Sequence, residues 1–173
     1  MDSKKITLKY GLILGGAVSI YSAILNQIGM GTDQTIASIA YLFIPIVLFF
    51  AMKEKRALLG HLSFGQGFGM GALVSLIGSI IISIFIYVYF TFLNPDIIQV
   101  IIETTEANLY NRGMDDDQVE QILEMQKPFF TPGWMSFFSL LIYTIVGVIF
   151  SLIVALVVKQ PQSPEQLDGQ SQY

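Results

Sequence analysis

The side chains with most chemical potential in this chain are carboxylates. Asp115, Asp116, Asp117 and Glu120 stand close together, with Glu103 and Glu106 a little upstream. Carboxylate oxygen is what calcium and magnesium prefer, so divalent-cation binding is the chemistry such a cluster suggests. The spacing fits no EF-hand loop. Acids at the start of a helix also favour its dipole and keep an exposed face solvated, so no metal ligand is assigned. His61 is the sole histidine, beside the basic turn Lys53-Glu54-Lys55-Arg56, and there is no cysteine. Without a second soft ligand or a nucleophile, a loop role is expected of it.

The other polar candidates sit at the ends of apolar runs. Asn26 and Gln27 close the first run and Gln66 opens the third, and none is ionisable. Proton-coupled transporters usually carry Asp, Glu, His or Arg inside their spans, and none falls between the expected interfaces here. Serines are plentiful, but a hydrolase needs a base within reach of its nucleophile, and serine on a small-residue stripe usually packs. The expectation is therefore no enzyme, no catalytic residue, no cofactor and no metal. The absence of cysteine also removes disulfides and thiol catalysis from consideration.

These polar groups are positioned by a chain built for hydrocarbon. Only 13% of its 173 residues are charged while 53% are hydrophobic, against about 25% charged residues in soluble domains. From Phe68 to Leu93 there is no Asp, Glu, Lys, Arg or His. About 20 apolar residues suffice to cross a bilayer, so this stretch must span one. Its small residues Gly67, Gly71, Ser75, Ser79 and Ser83 recur every four positions. That spacing lays a shallow helix-packing stripe along one face, where a neighbouring helix can approach closely.

Three more spans are expected. The first covers 10–28; it follows Lys4, Lys5 and Lys9 but is too long for a signal-peptide core and lacks a convincing cleavage site, so it reads as a retained helix. Its stripe Gly11, Gly15, Ser19 and Ala23 has the same spacing, which suggests that it packs on the organising helix, groove to groove. The second covers 36–52 and contains Pro45, which should kink it. The third is the organising helix, 64–93, with a capping box at Ser63 and Gln66. The fourth covers 134–158, opens on an aromatic belt of Phe129, Phe130, Trp134, Phe137 and Phe138, and steps by four through Tyr143, Gly147, Ser151 and Ala155.

Between the third and fourth spans, residues 94–133 read as a helical hairpin. Asn94-Pro95 marks a bend, Gly113 a left-handed stop, and Asp115 with Gln118 a second capping box. Ile97, Ile98, Ile101 and Ile102 share one face of its first helix while Gln99, Glu103 and Glu106 lie on the other, so the segment is amphipathic and does not span. Four isoleucines on one face are expected to form an interaction surface covered by the Phe129, Phe130, Trp134 cluster or by another protein. Residues 160–173 are polar and proline-containing and read as a disordered tail.

Basic residues fix the expected orientation. Lys4, Lys5, Lys9, Lys53, Lys55, Arg56 and Lys159 fall on one side, and only Arg112 and Lys127 on the other. The positive-inside rule places both termini in the cytoplasm and the acidic hairpin outside. The class is thus an all-α integral membrane protein, one membrane domain over 1–159, with four transmembrane helices and an extracytoplasmic hairpin.

The order of elements, with Ser-Phe-Gly-Gln-Gly-Phe at Ser63 to Phe68 and Phe-Leu-Asn-Pro-Asp at Phe92 to Asp96, resembles a family of four-span bacterial membrane proteins, domain of unknown function 4199. The resemblance implies a bacterial inner-membrane location and carries over no activity, substrate or catalytic residue. The expected role is a packing or accessory subunit, with a small channel or carrier as the alternative. Its expected partners are the lipid bilayer and either a second copy or another membrane protein, and no nucleic acid.

Overall fold

A computed structural model of the chain describes residues 2–160. Of the 160–173 stretch read as a disordered tail, 161–173 lie outside those residues, while Gln160 is paired with Leu62 in a backbone bridge. The described chain is helical throughout, apart from turns and one isolated backbone bridge. Its helices are α1 (Ser3–Gln27), α2 (Gln34–Ser38), α3 (Phe43–Leu59), α4 (Phe64–Val88), α5 (Ile97–Asn111), α6 (Asp116–Gln126) and α7 (Pro132–Val158). Four segments are long and apolar enough to cross a membrane: α1, the stretch Gln34–Leu59, the stretch Phe64–Leu93, and α7. The fold is all-α with a helical hairpin, α5–α6, between the third and fourth of these.

Local signals account for where the helices begin and end. Ser63 accepts from Gln66 N while Gln66 Oε1 accepts from Ser63 N, starting α4, and Asp115 and Gln118 do the same for α6. Asp33 accepts from Thr35 N and Ile36 N to start α2, and Thr131 caps α7 ahead of Pro132. Gly60 and Gly113 take positive φ, 73° and 82°, at the ends of α3 and α5. Pro45 acts at the start of α3. Its ring crowds the carbonyl four residues back, Tyr41, and Ile39–Leu42 tightens into a 3-10 turn. At the hairpin end, α4 is continued by a π-helical turn, Tyr89–Leu93, so the last five residues of the expected 64–93 span are not α-helical. Helix α1 begins earlier than the apolar run, and α3 continues past Met52 through the basic turn to Leu59, because no Gly or Pro stops it before Gly60.

The four long segments pack as a ring in which α1 touches α3 and α4, and α7 touches α3 and α4. Its centre is filled by aliphatic side chains, among them Val18, Ile44, Leu48, Met52, Val74 and Ile82, all at most 2% exposed. The outer faces are apolar too: Ile20, Phe92 and Val157 are more than 60% exposed. A surface of that kind belongs against lipid tails.

The stripe on α4 lies against the stripe on α7. A methyl at Gly67 would stand 3.3 Å from Ala155 Cβ, one at Gly71 2.9 Å from Ser151 Cβ, and one at Gly147 would collide with Ser75. Farther along, Ser79 Oγ and Thr144 Oγ1 hydrogen-bond at 2.7 Å and Ser83 Oγ donates to Ser136 O at 2.9 Å. Ser151 Oγ donates to Phe68 O at 2.9 Å. The grooves of α1 and α4 therefore do not meet as the shared spacing suggested. Helix α1 does pack on α4, but Gly11 and Gly15 take the side chains of Ile77 and Ile81 as knobs, and Gly78 takes Leu14. Equal spacing on three helices left the pairing open, and the bulk of Ile77 and Ile81 on a second face of α4 decides it.

The end of the bundle that carries Ser3 and Val158 is tied by polar contacts. Lys9 Nζ on α1 and Tyr10 OH both donate to the Glu54 carboxylate on α3, at 2.6 and 2.7 Å to Oε2. Leu62 and Gln160 exchange both backbone hydrogen bonds at 2.8 Å, and Arg56 donates to Val158 O. Leu62 itself is completely buried.

Candidate functional site

With the ring centre filled, openings edged by polar groups lie at the hairpin end of the bundle and in the hairpin itself. At the end from which the hairpin emerges, Ile97 and Ile101 help close a cavity of about 160 Å³ together with Ser22, Asn26, Thr32 and Tyr143. Asn26 Nδ2 donates back to Ser22 O within α1. The expected isoleucine surface is thus divided: Ile97 is buried, Ile98 and Ile101 are half-buried, and Ile102 faces the space between α5 and α6. The Phe129, Trp134, Phe137 and Phe138 rings pack on one another, with centroids 5.8–6.1 Å apart, and Phe130 lines the same space as Ile102.

The hairpin holds the larger opening. Helices α5 and α6 join at Gly113 and close over Leu109 and Val119, 7% and 1% exposed, then enclose a cleft of about 510 Å³. Ile102, Val119, Leu123 and Phe130 form its apolar floor. Glu106 from α5 and Asp116, Glu120 and Glu124 from α6 form its rim, with Lys127 the basic residue there. The three α6 acids are spaced by four and so line one face, about 6 Å apart per step. Tyr110 sits among them. Partial desolvation of its phenol, followed by the charges of Asp116, Glu106 and Glu120, holds its pKa above the ordinary 10. The sequence showed the acids and the isoleucines separately; the cleft between them depends on the angle at which α6 returns.

Among the described residues no three His, Asp or Glu side chains come together as a metal site. Half-buried His61 lies near Leu59 O, 3.1 Å from Nδ1. Gln66 is occupied in its capping box. Sequence reasoning missed the Lys9–Glu54–Tyr10 cluster, although an acid inside a basic turn facing a lysine on the preceding helix is a readable signal.

A sequence profile described as protein of unknown function (DUF4199) matches residues 9–160, from the lysine of that cluster to the glutamine of the backbone bridge. The chain belongs to the DUF4199 family. No curated protein and no solved structure matches it. The DUF4199 match takes in the first membrane-length segment from Lys9 onward, all of the other three and the hairpin, so the cleft and the α4–α7 contact both lie within the family's extent.

Proposed function

We propose that this protein is an accessory or assembly subunit of a bacterial inner membrane, with both termini in the cytoplasm and the α5–α6 hairpin presented outside. The observation that carries the reading is the contrast between interior and hairpin. The ring of spans is filled by aliphatic side chains, while the hairpin holds an open, apolar-floored, acid-rimmed cleft. Exposed apolar concavities with a polar rim mark interaction sites. Orientation rests on the basic residues gathered at the terminal end, Lys4, Lys5, Lys53, Lys55 and Arg56 among them. Catalysis is not part of the proposal.

The second reading, a small channel or carrier, draws on one feature, the cavity lined by Ser22, Asn26 and Thr32. Two measurements separate the readings. An accessory subunit yields a stoichiometric complex on native gels of mildly solubilised membranes and no flux of ions or small solutes when the purified protein is placed in liposomes. Flux from protein alone, with no such complex, refutes it. For orientation, single cysteines at Ser163 and Asp116 are exposed to a membrane-impermeant thiol reagent on intact cells. Labelling only at position 116 is expected, and labelling only at 163 inverts the topology.

A further inference from the structure

We infer that the α5–α6 cleft receives a basic amphipathic helix of a partner protein, with Lys or Arg repeating every four residues along its edge. The inference rests on the accessory-subunit reading and names the partner's chemistry. Asp116, Glu120 and Glu124 form a row with one acid per turn, and Ile102, Leu123 and Phe130 lie beside that row as floor. A helix is the occupant whose own side chains repeat at the same interval, placing cations against the row and apolar groups on the floor. A single divalent ion does not suit the arrangement, because no three carboxylates converge. A linear polyamine matches the charges and leaves the floor uncovered.

Residues 161–173 do not match this occupant. They carry Glu165 and Asp168 and no basic residue, and they depart from Gln160, at the opposite end of the bundle. A second copy in the same membrane offers the hairpin side only Arg112 and Lys127, and Lys127 already borders the cleft. Anionic lipid is repelled by the rim.

The test uses the full chain in nanodiscs of zwitterionic phosphatidylcholine and a fluorescent Leu/Lys helical peptide with lysines at every fourth position. A peptide of the same composition with its lysines scrambled around the helix is the control. The patterned peptide should bind at least tenfold tighter than the scrambled one. Asp116→Asn/Glu120→Gln/Glu124→Gln should weaken it more than tenfold, Leu123→Ser should weaken it severalfold, and Asp117→Asn, outside the cleft, should leave it unchanged. Equal binding of the two peptides, or unchanged binding to the triple variant, overturns the inference, as does equal weakening by Asp117→Asn, which would reduce the effect to net charge. The two proposals fail separately. A native complex that survives the triple substitution retains the accessory subunit and removes the cleft from it, while patterned binding without any native complex retains the cleft and removes the subunit.

Discussion

Replacing Gly71 by alanine tests the α4–α7 seam with a single methyl. That carbon would overlap Ser151 Oγ and come within 2.9 Å of Ser151 Cβ and 2.7 Å of Met52 Cε. Met52 can swing its terminal methyl aside, but Ser151 is held on the α7 backbone and donates to Phe68 O. The helices must separate locally. Overpacking costs about 1–3 kcal/mol, and losing the interhelical hydroxyl bond adds about 0.6 kcal/mol. Alanine's better helix propensity returns up to about 1 kcal/mol, leaving a net loss of roughly 0.6–2.6 kcal/mol. Gly69→Ala is the control, because nothing stands within 4 Å of its added methyl. Ser151→Gly removes the obstructing atoms, so in the double variant the cost of Gly71→Ala should largely vanish, a coupling of about 1–2 kcal/mol. Equilibrium unfolding in mixed dodecylmaltoside and SDS micelles, followed by far-ultraviolet circular dichroism, measures each term. The reasoning is refuted if Gly71→Ala is as stable as Gly69→Ala, or if the double variant loses the simple sum of the singles.

At the terminal end, Gln160→Pro removes the N–H that donates to Leu62 O and should cost about 0.5–1.5 kcal/mol, while Gln160→Ala should be silent because the bridge is main-chain; the same unfolding assay reads both. Lys9→Glu should lower stability by setting two carboxylates face to face, and Lys9→Glu/Glu54→Lys should restore part of it; a double variant no better than the worse single would remove the ion pair from the account. Tyr110 should ionise above the ordinary tyrosine range, seen as the difference in phenolate absorbance between wild type and Tyr110→Phe. Its pKa is raised in the fold, so its contribution is complete below the unfolded value near 10 and is lost as pH climbs through the folded value. An ionisation at or below 10 would contradict the crowding of Tyr110 by the rim acids.

Elements and boundaries were legible where the signal was local. Ser63 with Gln66, Asp115 with Gln118, and Gly113 each act within one turn of chain, and hydropathy marks the spans because each must be long and apolar in its own right. Partnership between spans was less legible. Helices α1, α4 and α7 all step small residues by four, and identical spacing cannot say which two stripes face each other. The answer lay in the large residues between them, Ile77 and Ile81, which need the glycines of α1 as sockets. The cleft was less legible still, since its rim comes from residues on two helices whose relative tilt no local pattern encodes.

The same repetition has a consequence for how the bundle is aligned. Sliding α7 by four residues along α4 again sets small beside small, Gly71 opposite Ala155 and Ser75 opposite Ser151, so the stripes work like a ruler whose graduations are all alike. They choose which faces meet and leave the alignment along the axis degenerate in steps of about 6 Å. The zero mark comes from contacts that do not repeat: the Leu62–Gln160 bridge at one end, and Ser83 on Ser136 O toward the other. Substitutions in the stripe therefore change how tightly α4 and α7 hold, whereas substitutions at these outlying contacts change where along each other they stop.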